Sequence, residues 1–127
     1  MQTTTEQQRA ELLGVWELVS FTFETENGTQ PWRREVHGTL IYEPSGYMAL
    51  AINSAVDDDL VYESIFFYSG RFTVAEDTLT HAITNASNPD RIGHHLVRNY
   101  RLDGDSLVLS GSDGFGTGEI RWRRKTN

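Results

Sequence analysis

The chain switches its hydrophobic period once, close to its start, and then keeps a β-strand pattern almost to its end. Eight runs rich in Val, Ile, Thr, Tyr, Phe and Trp follow one another, each closed by turn residues. They are Trp16 to Thr25, His37 to Glu43, Tyr47 to Asn53, Val61 to Ala75, Leu79 to Asn85, His94 to Leu102, Ser106 to Ser110 and Glu119 to Arg124. Asn27-Gly28 and Asp103-Gly104 supply positive φ cheaply, and Pro44-Ser45-Gly46 and Glu76-Asp77 make further bends. Longer connections are an acidic loop at Asp57 to Asp59, an Asn-Pro loop after Asn85, and a Gly-rich stretch from Gly111 to Gly118. Ser69-Gly70 marks a bulge or bend inside the fourth run.

Eight antiparallel strands can pack as two sheets or close into one barrel. A near-continuous meander favours closure, which also removes exposed strand edges. The expected class is therefore all-β: an up-and-down, eight-stranded antiparallel barrel with a short N-terminal helix. Thr5 reads as the helix cap, with Gln8 three positions on and Ala10, Leu12 and Leu13 forming an apolar patch before Gly14. The 127 residues make a single domain, 1–127, with 1–13 as a helical cap. With 38% hydrophobic residues the chain can build a core without staples.

Composition removes whole classes of function. Without cysteine there is no disulfide, thiolate metal site or thiol nucleophile. Eleven Lys and Arg against 18 Asp and Glu leave a net charge of −7, the wrong sign for nucleic acid or an anionic membrane. No apolar run is long enough to span a bilayer, and the first residues do not read as a signal peptide. A cytoplasmic monomer or homodimer with a small hydrophobic molecule as partner is the expectation.

Period two assigns faces to the strands. Leu79, His81, Ile83 and Asn85 share a face, as do His94, Leu96, Arg98, Tyr100 and Leu102; both sets are read as inward. Phe66, Tyr68, Phe72 and Val74 point inward if no residue is inserted at Gly70, and Ile120 and Trp122 alternate with Glu119, Arg121 and Arg123. The first run breaks phase between Leu18 and Val19, which either a bulge near Leu18–Ser20 or a strand buried on both sides at one end would explain.

This pattern encloses an arginine. A guanidinium among apolar neighbours is costly unless an acceptor, an anion or water satisfies it. Arg98 is then held by internal acceptors or solvent near the mouth, or it forms with Tyr100 and His81 the polar end of a ligand cavity. No metal is expected. His94 and His95 point to opposite faces, and a His81–His94 pair has no carboxylate companion. Asp57 to Asp59 lacks the alternation and central glycine of a calcium loop.

Gly14-Val15-Trp16, opening the first strand after a helix, resembles the Gly-x-Trp of the lipocalin and wider calycin group. Leu12 to Phe21, Gly38 to Met48, Tyr68 to Phe72, Leu79 to His81 and Arg98 to Leu107 are similar to the lipocalin-like domain family. That resemblance spans nearly the whole chain in order and implies a calycin-type barrel with a pocket. It further implies that Trp16 packs at the closed end under an arginine of the last strand, with Arg121 or Arg123 as the matching candidate. Arg98-Asn99-Tyr100 is similar to the Arg-x-Tyr with which fatty-acid-binding proteins grip a carboxylate. Nitrobindin-type calycins hold haem through a histidine near the C-terminus, whereas the last histidine here is His95, so no cofactor is expected.

Two functional readings stay open at this point. In one, the barrel binds a small, largely apolar ligand whose anionic or carbonyl end meets Arg98 and Tyr100, with His81, Tyr68, Phe66, Phe72, Leu96 and Trp122 around it. In the other, the barrel is a cofactor-free enzyme, an isomerase, cyclase or hydratase acting on a specialised metabolite. His81 is then the acid–base group, its ordinary pKa near ~6.5 suiting proton transfer, with Tyr68 and Arg98 stabilising developing charge.

Overall fold

A computed structural model describes residues 5–32, 35–54, 65–113 and 116–125. Its elements are α1 (Thr5–Leu12), β1 (Gly14–Thr25), β2 (Gly28–Pro31), β3 (Val36–Tyr42), β4 (Tyr47–Ser54), β5 (Ile65–Ala75), β6 (Thr78–Ala86), β7 (His95–Asp103), β8 (Ser106–Asp113) and β9 (Gly116–Arg124). All pairings are antiparallel, and β1 closes the ring by pairing with β9 while β3 to β9 follow in sequence order. The result is the expected eight-stranded up-and-down barrel.

One strand lies outside the expected eight. β2 pairs with Thr22–Thr25, taking over the edge of β1 that β3 covers at Gly14–Glu17. Its sequence, Gly-Thr-Gln-Pro, is exposed throughout and has no apolar alternation, so nothing in its composition marks it as a strand. The Asn-Gly turn before it does.

Period two holds wherever no bulge intervenes. The register of β1 against β9 shifts between Leu18 and Ser20, which turns Trp16 and Phe21 to the same interior. A second irregularity falls at Ser69–Gly70: Ser69 faces Asn85 and Gly70 faces Ile83, so the extra residue, Thr84, belongs to β6. Phe66, Tyr68, Phe72 and Val74 therefore keep one phase, while Asn85, read as inward, is thrown outside. Gly70 is required here, because a Cβ would stand 1.8 Å from the Ala82 carbonyl oxygen.

Two further expectations need correction. His94 precedes β7 and is exposed, its carbonyl accepting from the Ile83 amide at 3.0 Å. The Gly111 to Gly118 stretch is mostly hairpin: Gly111 pairs with Gly118 and Ser112 with Thr117. The acidic loop at Asp57 to Asp59 and the start of the fourth run, 61–64, lie outside the described residues.

The helix caps one end. Thr5, read as its cap, is its first residue, and Leu12 is its buried anchor. Gly14, at φ +123°, lets the chain leave the helix directly into β1. The Trp16 indole then donates back to the Leu12 carbonyl at 2.9 Å. Below the cap, Trp16, Leu40, Leu50, Leu79, Leu107 and Trp122 are fully buried, each contributing about 1.5–3 kcal/mol through burial. The end remote from α1 is where the interior opens.

Candidate functional site

A chain of three polar side chains crosses the middle of the barrel. β3 brings in Tyr42, β5 Tyr68 and β6 His81, each at an inward position of its strand. His81 is wholly buried, and Tyr42 and Tyr68 are 1% and 2% exposed. The Tyr42 hydroxyl lies 2.7 Å from His81 Nε2, and the Tyr68 hydroxyl 2.6 Å from Nδ1. Both ring nitrogens are thus engaged. Burial, then the positive charge of Arg98, lowers the His81 pKa to about 3. Burial raises the Tyr42 pKa well above the ordinary phenol value; Tyr68 adds to this and Arg98 opposes it. His81 and Tyr42 are therefore uncharged around neutrality.

On the open side of Tyr68 lies a cavity walled by Phe21, Phe23, Phe66, Leu109 and Ile120, with Arg98 and Arg91 among its lining residues. It comprises about 410 Å³ of non-atom space out to its mouth, of which about 30 Å³ admits the centre of a water molecule. The narrower figure corresponds to room for about two waters. Its aromatic wall is continuous: Phe21 contacts Phe23, Trp32 and Phe66 at centroid distances of 4.8, 5.4 and 5.3 Å.

The two cations arrive by different routes. Arg98 comes from β7, and its Nη1 donates to the Val97 carbonyl at 3.3 Å. Gly111 leaves room for it on β8, since a Cβ there would stand 3.3 Å from both Cδ and Nη1 of Arg98. Arg91 comes from a single 3-10 turn, Pro89–Arg91, whose cap Asn88 accepts from the Asp90 amide at 3.0 Å. That turn sets the Arg91 guanidinium 5.0 Å above the centre of the Phe66 ring.

Of the residues read from the sequence, Arg98, Tyr68 and Phe66 come together on the cavity wall. His81 stands behind Tyr68 and contributes no wall. Its low pKa also removes the reason for reading it as a neutral-pH acid–base group. Leu96 is core, 2% exposed. Phe72 belongs to the capped end, 4.6 Å from Tyr42 and 5.1 Å beneath Arg9. Trp122, from the capped half of β9, is buried, and its indole N–H has no hydrogen-bond partner among the described residues.

Arg98 and Tyr100 do not converge. The Tyr100 hydroxyl donates to the Glu76 carbonyl at 2.9 Å, at the β5–β6 turn near the helix. Burial raises its pKa, followed by the charges of Glu11 and Asp77.

The arginine over Trp16 is Arg124, 4.3 Å from the ring centre, whereas Arg121 and Arg123 point outward to Glu119 and Glu17. Strand alternation explains it: Ile120 and Trp122 face in, so Arg124 follows in phase. Gly14 and Trp16 occupy the expected places at the start of β1.

Tyr42, Phe21, Leu109 and Ile120 were absent from the sequence-based site. Tyr42 follows Leu40 in phase and was findable. Arg91 was not, because a short loop carries no alternation. Among the described residues no three His, Cys, Asp or Glu side chains cluster as metal ligands, and no helix is long and apolar enough to cross a membrane.

The sequence model of the lipocalin-like domain matches residues 13–58 and 52–124. No curated protein matches the chain. Among solved structures, a redesigned β-barrel is 17% identical, with TM-score 0.55, covering 93% of this chain and 95% of its own. A fluorescence-activating β-barrel designed de novo is 15% identical, with TM-score 0.53, covering 97% and 100%. At these identities the likeness speaks for the fold.

Proposed function

Because the chain belongs to the lipocalin-like domain family, we propose that its barrel binds one small, largely apolar molecule whose anionic or carbonyl end is met by Arg98 and Tyr68. The observation that carries this reading is a half-buried arginine lining the same aromatic-walled cavity as a buried tyrosine. Binding cavities are typically apolar surfaces with a few convergent polar groups, and this one has that composition. Aromatic walls favour a flat hydrophobic body. Phe23 and Arg91 stand partly exposed at the rim, and their rotation admits an occupant larger than two waters.

An enzyme reading finds less support. His81 lacks cavity surface and stays neutral down to about pH 3, so any proton transfer to a bound molecule would run through Tyr68.

The test is a fluorescence titration with 8-anilinonaphthalene-1-sulfonate, an aromatic anion. The native protein should bind one equivalent saturably, and Arg98→Met should weaken binding about ten- to a hundredfold with the circular dichroism unchanged. Absence of saturable binding, or equal affinity in the variant, removes the proposal.

A further inference from the structure

We propose that the barrel mouth contains a second, ring-binding subsite over β3 and β4, occupied by the chain's own Trp32, and that a planar two-ring ligand binds by displacing this indole. This rests on the cavity being a ligand site, as argued above. It adds which side chain must leave and what shape takes its place.

The cavity takes up one side of the mouth. Its lining residues come from β1, from β5 and from the stretch Arg91 to Ile120; among the described residues none belongs to β3 or β4. Yet β3 and β4 stand between β1 and β5 in the ring of strands, and their inner faces close the other side. Trp32 fills that side. Its ring is stacked on Phe21 of β1, 5.4 Å away at 24°, and edge-on to Phe66 of β5, 6.3 Å away at 71°. Phe21 and Phe66 also touch each other at 5.3 Å and both line the cavity. That pair of rings therefore parts the mouth, with the cavity against one side of it and the indole against the other. The path of the chain brings Trp32 there. β3 pairs with β1 at Gly14–Glu17, β2 takes over at Thr22–Thr25, and the Trp32 amide donates to the Phe21 carbonyl at 2.9 Å, where β1 and β3 have separated.

The indole sits as a ligand would. It is a flat fused ring system, stacked on one aromatic wall and edge-on to another, the two arrangements that aromatic pairs prefer. Trp16 and Trp122 are 0% and 1% exposed, whereas Trp32 is half-buried and follows a strand that is exposed along its whole length. A ligand ring of the same shape keeps the contacts with Phe21 and Phe66 that the indole gives up. The cavity alone has room for about two waters, so a two-ring body needs this space as well. Trp32 is then a competitor built into the chain. Native affinity is reduced to the fraction of molecules in which the indole has swung out, and removing the indole raises it.

The first measurement is a calorimetric titration with 2-naphthoate, an aromatic anion of two fused rings. Trp32→Ala should bind it about tenfold more tightly than the native protein, the gain expected when the indole is out in about a tenth of the molecules. Equal or weaker binding in a folded Trp32→Ala makes the indole part of the wall and overturns the proposal.

The second follows the native chain labelled with 5-fluorotryptophan, whose 3 tryptophans give separate 19F signals. The Trp32 signal is the one lost in Trp32→Phe. On saturation with 2-naphthoate it should acquire the solvent-isotope shift of an exposed indole, while Trp16 and Trp122 remain without one. A Trp32 signal that keeps or loses solvent contact as 2-naphthoate binds overturns the displacement and leaves the ligand site standing. If Trp32→Ala does not fold, this measurement decides alone. If neither the native protein nor the variant binds 2-naphthoate, the ligand-site reading itself fails and the subsite falls with it.

Discussion

The two ends of the barrel use arginine in opposite ways. At the capped end each cation fastens distant segments together. Arg124 lies on Trp16, donates to the Leu13 and Glu11 carbonyls at 3.1 and 2.6 Å, and meets Asp105 at 3.3 Å. Arg9 donates to the Pro44 carbonyl at 2.6 Å, and Arg71 to that of Ser45 at 3.2 Å while covering Tyr47. At the open end Arg98 bonds the carbonyl of its neighbour in sequence and projects charge toward His81, and Arg91 stacks on Phe66. Both border the cavity. The cations of one end hold helix, turns and strands together; those of the other also line a cavity. Stability and recognition should therefore respond to different residues.

The sharpest separation lies at His81, between the two ends. Its folded pKa of about 3 lies below the unfolded value near 6.5, so the unfolded chain takes up a proton that the folded chain refuses. Stability is full above about pH 6.5 and falls as the pH drops toward about 3, by up to about 5 kcal/mol. Denaturant unfolding across this range should show the slope in the native protein and a much flatter one in His81→Gln. Equal slopes would mean that His81 is not held neutral. Trp16→Ala, at the capped end, should cost about 3–5 kcal/mol at neutral pH through the lost burial and the cavity left beneath Arg124. An intact midpoint in that variant would break the assignment of this end as the structural one.

How much of this was legible depends on what alternation can carry. It placed His81, Tyr68, Arg98 and Phe66 inside because each stands on an unbroken stretch of strand, and it marked a bulge or bend at Ser69–Gly70. At Leu18–Ser20 it showed the break of phase but not its cause, which the register against β9 shows to be a bulge. It failed for Asn85, one residue past a bulge, because period two inverts wherever a residue is inserted. It also could not part Arg98 from Tyr100. Two inward residues on one strand share a face but not a level, and each long side chain reaches toward its own end of the barrel. The cation over Trp16 was misassigned between Arg121 and Arg123, although the phase of Ile120 and Trp122 already pointed to Arg124. Arg91 lies on a 3-10 turn, where no period exists to read.

The smallest expected effect tests the comparison most directly. Arg124→Met and Arg98→Met remove the same charge and keep a similar apolar stem, so their difference isolates what each guanidinium does. The first loses two tertiary hydrogen bonds to carbonyls and a stacking contact, and should cost about 1–3 kcal/mol. The second loses the bond to the Val97 carbonyl together with its other contacts, but it also relieves a partly buried charge, so its cost in unfolding free energy should be the smaller of the two. Parallel urea titrations read both. A large loss in Arg98→Met would make it a fastener like Arg124, and the open end would then be built for stability rather than for a ligand.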